Sequence, residues 1–348
     1  MINKTSGTVV DFDEYQEQKI KKFSLTNQHG VTLSVLGLGS TIYEISVPTK
    51  TGKRNLVLNY AHSRDYLDNP FYVCMAIGRT AGRIANGRLM LDGQTIQLPT
   101  NEGSTTLHGG AQGFNTQIWQ GEIVHATNED VIKMYHEQAS SDGFPGQMLV
   151  CVTYSLTKDD VVEIKFSANS NEKTVFNPTQ HTYFNLGKTE TIKQHWLKIN
   201  SNQVLELDKQ KIPTTKKLPV AHTSFDFQGS TKLGTAIAAM SDTNEKGLDD
   251  LFVVQPDESG IIAELADPET NISVAIESKR NGLVAFTANS FTEEHMNLIR
   301  TKGVGRPYAG IALEPETLTG LEKENDFSEI ELQPNRPKSY TIKYHLHF

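Results

Sequence analysis

The sequence has few of the features that mark several large classes of protein. It has two cysteines, Cys74 and Cys151, among 348 residues. Two are too few for a disulfide framework, and we interpret them as small apolar side chains. No run of about 18 apolar residues is present, as a membrane-spanning helix would need, and the first residues lack the apolar stretch of a signal peptide. We therefore expect a cytoplasmic protein with no membrane partner.

Basic patches and cofactor motifs are missing as well. The 33 Lys and Arg residues are outnumbered by 41 Asp and Glu residues, for a formal net charge of -8, so we expect no nucleic-acid partner. The sequence has no metal-type spacing such as HxxxH or CxxC, no G-x-S-x-G elbow and no phosphate-binding loop. These absences predict a protein without a metal or any other cofactor.

Helical periodicity is scarce, whereas alternation of apolar and polar residues recurs along the chain. Two short segments, 63–68 and 233–240, are the only plausible helices. Alternation with period two predicts strands with one apolar face at 150–154, 162–168, 272–276 and 340–348. Asp92-Gly93 lies between two short runs and predicts a two-residue hairpin turn. We expect an all-β fold, a large antiparallel β-sandwich with few short helices. The simplest organisation is a single domain over 1–348, in which residues 1–20 form a loose arm or an edge strand.

Five segments do not fit the strand pattern, because they place polar, Gly-rich or His-containing sequence beside apolar runs. They are residues 77–87 (IGRTAGRIANG), 101–110 (NEGSTTLHGG), 175–187 (VFNPTQHTYFNLG), 246–254 (KGLDDLFVV) and 309–320 (AGIALEPETLTG). Each segment alone has a structural explanation, such as a solvated turn or a buried histidine bonded to a carbonyl group. Their combination supplies two histidines, an arginine and two carboxylates on irregular segments of a β protein.

Six stretches carry a family resemblance, and they follow one another in the family's order between about residue 77 and residue 320. They are GRTAGRIANG, TLHGG, NPTQHTYFNLG, GLDDLF, FTAN at 286–289 and GIALEPE. On these motifs the chain resembles the aldose 1-epimerase (galactose mutarotase) family, over nearly its whole length. The resemblance implies the galactose mutarotase-like supersandwich, with a sugar bound in an open cleft.

The resemblance also implies a reaction and a set of residues. The reaction is the interconversion of the α and β anomers of a free aldose of the galactose or glucose type, by a monomer or a homodimer without a cofactor. The implied residues are Glu314 as general base, His181 as general acid, His108 as an assisting or positioning group, and Arg83, Asp249, Phe286 and Tyr183 as substrate-binding groups. Asp249 or Glu316, if close, would hold the proton on His181.

Mutarotation needs a base and an acid together. The anomeric hydroxyl must lose a proton while the ring oxygen gains one, and either step alone creates a charged, high-energy species. A glutamate with a reference pKa of about 4.3 is ionised at neutral pH, and a histidine with a reference pKa of about 6.5 is partly protonated there. We therefore expect Glu314 and His181 to act as a pair.

Three positions depart from the commoner pattern of the family, and they leave the substrate open. Gly82 stands where Asn is frequent, Asp250 where His is frequent and Glu316 where Gln is frequent. One alternative is an epimerase of a disaccharide such as maltose. Another is an epimerase of a hexose phosphate, which would need clustered basic groups around the cleft, and Arg79 and Arg83 are too few to decide between these substrates. A glycosidase that pairs Glu314 with a second carboxylate, or a non-catalytic carbohydrate-binding protein, ranks behind these.

Overall fold

The structure is a computed structural model that describes residues 5–125, 130–292, 296–320 and 326–348. Strands dominate these residues. In chain order they are β1 (Ser6–Tyr15), β2 (Gln18–Thr26), β3 (Thr32–Leu36), β4 (Thr41–Thr49), β5 (Gly52–Asn55), β6 (Ala76–Ile77), β7 (Arg83–Ile84), β8 (Arg88–Leu91), β9 (Gln94–Gln97), β10 (Thr106–Leu107), β11 (Gln120–His125), β12 (Asp130–Gln138), β13 (Met148–Leu156), β14 (Val161–Ser170), β15 (Thr174–Val175), β16 (Thr179–Gln180), β17 (Tyr183–Phe184), β18 (Trp196–Ile199), β19 (Ser201–Leu207), β20 (Pro213–Pro219), β21 (Thr231–Lys232), β22 (Asp249–Val254), β23 (Ile261–Asp267), β24 (Ile272–Ser278), β25 (Gly282–Phe286), β26 (Ile311–Glu316), β27 (Glu331–Leu332) and β28 (Lys338–His347).

Helices are few and short, as the sequence predicted. In the described part of the chain the one α-helix is α1 (Leu233–Ala239), which falls on one of the two predicted segments. The other predicted segment forms a single 3-10 turn, Ser63–Tyr66. The remaining 3-10 turns are Ala85–Gly87, Phe114–Thr116, Ser140–Asp142 and Ser328–Ile330. No helix among the described residues has the length and apolar character needed to cross a bilayer.

Three large antiparallel sheets contain most of the strands. The first has five strands in the order β1-β2-β3-β4-β5, with β1 at its edge. The second has nine, in the order β11-β12-β13-β14-β28-β24-β23-β18-β21, and the third has six, in the order β17-β26-β25-β22-β19-β20. Two-stranded pairs (β10-β7, β15-β27, β16-β6 and β8-β9) lie between them in the chain. This architecture confirms the predicted antiparallel β fold.

The four alternating segments lie next to one another in the nine-stranded sheet, as β13, β14, β28 and β24. Their registers align the apolar faces, since Val152 lies opposite Phe166 and Ile164 lies opposite Ile342. All four of these side chains are buried. The strand predicted over 340–348 ends one residue earlier than expected. β28 ends at His347, and Phe348 is 43% exposed and not part of the apolar face.

The predicted Asp92-Gly93 turn and a second glycine-containing turn, Asn281-Gly282, differ in what they connect. Asp92 (φ 51°) and Gly93 (φ 76°) are both left-handed and join β8 to β9, which is the backbone of a type I′ hairpin. Asn281-Gly282 connects β24 to β25, but these strands belong to different sheets. It is therefore a crossover between sheets and not a hairpin.

The three sheets share one hydrophobic core. Its largest cluster joins Val35 of the five-stranded sheet, Ile164 of the nine-stranded sheet and Leu313 of the six-stranded sheet. Burying apolar area contributes about 25 cal/mol per Å², so a core shared by all three sheets fixes them against one another. The six-stranded sheet then presents its strands to the site described below.

Candidate active site

The centre of the site is a contact between a histidine and a carboxylate. Glu314 lies on β26, and His181 lies in the short connection between β16 and β17. The Nε2 atom of His181 is 3.3 Å from Oε1 of Glu314. The two residues are 5% and 2% exposed. Because β17 pairs with β26, with Tyr183 opposite Ala312, the sheet register brings these two distant parts of the sequence together.

His108 completes a cluster of three. Its donor atoms and those of His181 and Glu314 lie within 4.8 Å of one another, and the two imidazole rings meet edge to face at 5.3 Å between centroids. His108 follows β10, and Leu107 of that strand pairs with Arg83 of β7. Gly109 allows the chain to turn here, since a Cβ atom on it would lie 1.9 Å from the Gly78 carbonyl oxygen.

The hydrogen bonds of His108 define its tautomer. The backbone N–H of Gly82 donates to Nδ1 of His108 over 3.3 Å, so the ring proton of the neutral imidazole lies on Nε2. Burial, together with the charges of His181 and Arg83, holds the pKa of His108 well below its usual value. His108 is therefore a neutral N–H donor at physiological pH.

Burial also shifts the two groups of the central contact. Burial lowers the pKa of His181 to about 3. Burial, with the charges of Glu316 and Asp249, holds the pKa of Glu314 well above its ordinary range. The lowered pKa of His181 and the raised pKa of Glu314 each favour the neutral form of the group. The sequence predicted that His181 is partly protonated at neutral pH. With its pKa lowered to about 3, the imidazole is instead neutral there unless Glu314 shares a proton with it. The contact between the two groups must therefore share a single proton.

The expected orienting partner of His181 is not found. Asp249 and Glu316 were expected to hold its proton, but in the described part of the chain Nδ1 of His181 is buried without a hydrogen-bond partner. The ring is held by packing, since it stacks on Tyr183 at 4.9 Å and lies 6.0 Å from Tyr72 between ring centroids. The tautomer of His181 is thus left free to follow its contact with Glu314.

Arg83 and Asp249 stand at the rim of the cluster, each with a charged partner. Arg83 makes a bidentate pair with Glu102, with distances of 2.6 and 2.8 Å. Asp249 accepts from Nζ of Lys211 at 2.5 Å, and Lys211 also contacts Glu245 at 2.9 Å. These pairs fix the direction of each side chain. They leave the remaining donors of Arg83 and acceptors of Asp249 for a ligand.

A cleft of about 320 Å³ opens beside this cluster. That volume is at the lower end of the range for small-molecule sites. Gly82, Arg83, Asp249 and Glu316 lie on its wall near the cluster, and on the far side it is lined by residues of the connection between β19 and β20, among them Asp208, Gln210, Lys211 and Thr214. The cleft therefore borders the neighbours of the cluster, and His108, His181 and Glu314 themselves are not among the residues that line it.

The two predicted aromatic residues occupy different depths. Phe286 is half-buried on β25, where it pairs with Asp249 of β22 and stands edge to face with Tyr183 at 6.1 Å. Tyr183 is 0% exposed, and its hydroxyl donates to the Phe71 carbonyl oxygen at 3.1 Å. Tyr183 thus packs against the ring of His181 and does not line the cleft. The sequence had predicted that it binds the sugar, which would require an exposed surface.

Arg79 does not belong to the site. It is 1% exposed, and its guanidinium is bonded to Asp142 at 2.7 and 3.1 Å and to the carbonyl oxygens of Pro145 and Gly146. A guanidinium with these partners has no donors left for a ligand. Arg79 therefore joins two loops, and it is not available to bind the phosphate group of a hexose phosphate.

Sequence reasoning missed several residues of the site, and Arg280 is the clearest. It is 4% exposed, its Nη1 donates to the carbonyl oxygens of Pro178 and Pro315, and its Nη2 donates to Asn177. Pro178 lies in the segment that carries His181, and Pro315 follows Glu314. The sequence around Arg280 (ESKRNG) is typical of a charged, exposed turn, and no neighbouring residue indicates that the arginine side chain is buried.

The cluster has the composition of a catalytic zinc site, but its hydrogen bonds do not fit one. A histidine ligand binds a metal through one nitrogen and usually donates a proton from the other to an acceptor. Nδ1 of His108 instead accepts from the Gly82 N–H, and Nδ1 of His181 has no acceptor within the described residues. His108, His181 and Glu314 are the residues that would hold such a metal. The expectation of a metal-free site stays a prediction.

Comparisons with known proteins agree on one family. The sequence profile of aldose 1-epimerase matches residues 21–345. The chain is 36% identical to an aldose 1-epimerase of Streptococcus thermophilus over 93% of this chain and 94% of that one. It is 35% identical to a maltose epimerase of Levilactobacillus brevis over 94% and 95%. The crystal structure of a galactose 1-epimerase from Lactobacillus acidophilus superposes with a TM-score of 0.86 at 23% identity, over 99% of both chains, and shows the same fold.

The match spans nearly the whole chain and includes all six motif stretches. It confirms the resemblance inferred from the sequence, and the fold is that of the galactose mutarotase-like proteins. The chain therefore belongs to the aldose 1-epimerase family, the isomerases that interconvert the α and β anomers of aldoses.

Proposed function

We propose that the protein converts the anomers of a free hexose of the glucose or galactose type at the cluster of Glu314, His181 and His108. The observation that supports this most directly is the buried contact between His181 Nε2 and Glu314 Oε1 at 3.3 Å. It combines a proton acceptor and a proton donor beside a cleft of sugar size. Arg83 and Asp249 at the rim bind sugar hydroxyls, and Phe286 packs against the ring.

The proton balance of the reaction suits a pair that shares one proton. In the reactive state Glu314 is a carboxylate and His181 is protonated. Glu314 takes the anomeric proton, His181 gives its proton to the ring oxygen, and the bond between C1 and the ring oxygen breaks. The open aldehyde rotates about C1–C2, and the two transfers reverse to close either anomer. No proton is gained or lost over the cycle.

Burial affects the two states of this pair less than it would affect a lone charge. Neutral Glu314 with neutral His181, and ionised Glu314 with protonated His181, have the same total charge, so a proton that crosses the contact interconverts them. His108 remains neutral throughout and donates from Nε2 to a sugar oxygen. We assign Tyr183 to support of the His181 ring, because it stacks on that ring and is fully buried.

A phosphorylated sugar is disfavoured by the basic groups around the cleft. Arg79 is buried against Asp142, Arg83 is neutralised by Glu102, and Lys211 is shared by Asp249 and Glu245. A phosphate needs several clustered cations whose charge is not already neutralised by carboxylates. The glycosidase and binding-protein alternatives leave two convergent imidazoles beside Glu314 without a role.

A disaccharide is the second candidate substrate. The cleft of about 320 Å³ runs from Arg83, Asp249 and Glu316, beside the cluster, to residues 208–214, where a second sugar ring could bind. A maltose epimerase is among the relatives that match over nearly the full chain. In that case the reducing ring would occupy the cluster and the second ring the outer part of the cleft.

We further propose that the protein acts in the cytoplasm, as a monomer or homodimer, with its sugar as partner and without nucleic acid or membrane. Its two cysteines are free, which suits a reducing compartment. The net charge of -8 disfavours polyanions.

Polarimetry tests the proposed function. Fresh α-D-glucose, α-D-galactose and maltose are dissolved with and without the protein, and the approach to equilibrium rotation is followed. We expect the protein to accelerate it for at least one of these sugars. If no free aldose responds, the assignment is wrong. Release of a monosaccharide from a glycoside would favour the glycosidase.

A further inference from the structure

A second carboxylate faces the cleft without a partner. Glu316 lies on β26 two residues beyond Glu314, is 5% exposed and lines the cleft. Its Oε2 atom is buried and has no hydrogen-bond partner within the described part of the chain. Burial of a polar atom without a hydrogen-bond partner destabilises a protein, so a group that stays in this condition calls for an explanation, such as a ligand.

The residue next to this carboxylate is a glycine, so no side chain from position 82 packs on it. A Cβ atom on Gly82 would lie 3.7 Å from Oε1 and 3.8 Å from Oε2 of Glu316. Any side chain at position 82 would thus begin in contact with the carboxylate and stand over it. Gly82 also lines the cleft and donates its N–H to His108. The open space therefore lies directly beside the catalytic cluster.

The guanidinium of Arg280, whose charge acts on Glu316, makes its hydrogen bonds to other residues. Arg280 acts on Glu316 through its charge, but its guanidinium hydrogen bonds go to Pro178, Pro315, Asn177 and Thr317. Burial raises the pKa of Glu316 to about 7, against the effect of Arg280. Among the described residues, Glu316 thus has the charge of Arg280 to compensate its own but no hydrogen-bond donor at Oε2, and a ligand can supply a donor to this carboxylate.

We infer that Glu316 is a specificity-determining residue, which accepts a hydrogen bond from a sugar hydroxyl in the space beside Gly82. The inference rests on the proposed function and extends it to a residue outside the acid–base pair. A hydroxyl is the matching donor because sugars present several, and a carboxylate binds such a group strongly. The hydroxyl belongs either to the reacting ring or to a second ring in the outer cleft, and the chemistry is the same in both cases.

The test compares two variants at this position with a matched control. Glu316→Ala removes the acceptor, and Glu316→Gln keeps the shape while it removes the charge. Glu277→Gln is the control, because Glu277 lies on β24, pairs with Lys343 and His345, and does not line the cleft. Each is assayed by polarimetry for kcat and KM with α-D-glucose, with its 2-, 3-, 4- and 6-deoxy derivatives and with maltose. Thermal melting confirms that each variant is folded.

We expect Glu316→Ala to raise KM about tenfold, Glu316→Gln to raise it less, and kcat to change by no more than about threefold. The rise should disappear for the one deoxyglucose that lacks the bound hydroxyl. A rise with maltose but not with any glucose assigns the hydroxyl to the second ring.

Two results overturn the inference. One is an unchanged KM for every sugar in both variants, and the other is an equal rise for glucose and all of its deoxy derivatives. The second result would show that Glu316 acts on the shape of the site and not on one hydroxyl. Absence of mutarotation by the unmodified protein would instead contradict the proposed function, so the two failures are distinguishable.

Discussion

The imidazole of His181 and the carboxylate of Glu314 meet at 3.3 Å in a site where both side chains are almost fully buried. Burial alone disfavours the charged form of each. A proton shared between them keeps the total charge of the pair constant, so the pair can act as base and acid without creating an isolated buried charge. This contact is the basis of the account, and each prediction below tests one of its consequences.

We propose that Arg280, which is not among the residues that line the cleft, positions the pair. Arg280 donates to the carbonyl oxygens of Pro178 and Pro315, in the segments that carry His181 and Glu314. We predict that Arg280→Lys lowers kcat by about 10- to 100-fold with little change in KM, because lysine keeps the charge but not the planar fork. The measurement is polarimetric kinetics with a pH profile, alongside thermal melting.

Arg306→Lys is the control for this change. Arg306 pairs with Glu190 at 2.8 Å, is about half exposed and does not line the cleft, so its variant should keep the kcat of the unmodified protein. If Arg280→Lys lowers only the melting temperature and leaves kcat and the pH profile unchanged, Arg280 is structural and the positioning role is wrong.

Glu316 should make the protein less stable as the pH rises. Its pKa is about 7 in the folded state against an ordinary value of 4.5, so between these values the folded state binds more protons than the unfolded state. The free energy of unfolding then falls with rising pH. At about pH 8 the ionisation of Glu316 lowers the free energy of unfolding by at most about 3 kcal/mol. We predict that Glu316→Gln melts a few degrees higher than the unmodified protein at about pH 8, and that the difference vanishes below about pH 4.5.

Glu277 provides a control of opposite sign. Partial burial raises the pKa of Glu277, but the hydrogen bonds from Lys343 and His345 outweigh it and hold the pKa below its ordinary value. Glu277→Gln should therefore lower the melting temperature at about pH 8, and the difference should shrink as the pH falls through the lowered pKa. A Glu316→Gln variant that melts lower than the unmodified protein at about pH 8 would contradict the assigned shift.

Removal of metal ions should have no effect. The Gly82 N–H donates to Nδ1 of His108, which places the ring proton on Nε2 and blocks the atom that a metal would need. We predict that dialysis against EDTA leaves kcat and melting temperature unchanged, and that the active protein has less than about 0.1 metal ion per chain by elemental analysis. Loss of activity on chelation, restored by Zn²⁺, would show a metal enzyme.

Much of the fold followed from the sequence because its signals are local. Apolar and polar residues alternate along β13, β14, β24 and β28, and one such strand needs only one buried face to be recognised. The Asp92-Gly93 turn is equally local, since two residues with positive φ determine it. Asn281-Gly282 is also a dipeptide typical of hairpin turns, but β24 and β25 lie in different sheets, and that arrangement depends on contacts far along the chain.

The site was predictable only as a set of residue types. Motifs placed Glu314, His181 and His108 in loops and strand ends, but their mutual distances arise from strand pairing between separate segments, with Leu107 opposite Arg83 and Tyr183 opposite Ala312. The direction of the hydrogen bond at His108, the burial of Tyr183 and the inward position of Arg280 depend on the same long-range packing. The roles of the site residues, and the organisation of residues 1–348 as one domain, stay predictions.

The most direct test of the acid–base pair is the activity of Glu314→Gln measured together with sugar binding. We predict that this variant loses at least about 10²–10⁴-fold in kcat by polarimetry. It should still bind the sugar, by calorimetry or NMR titration, with an affinity within about threefold of the unmodified protein, because the hydroxyl contacts at the rim remain. Full mutarotase activity in a folded Glu314→Gln variant would contradict the account, since no other buried carboxylate contacts His181 in the described part of the chain.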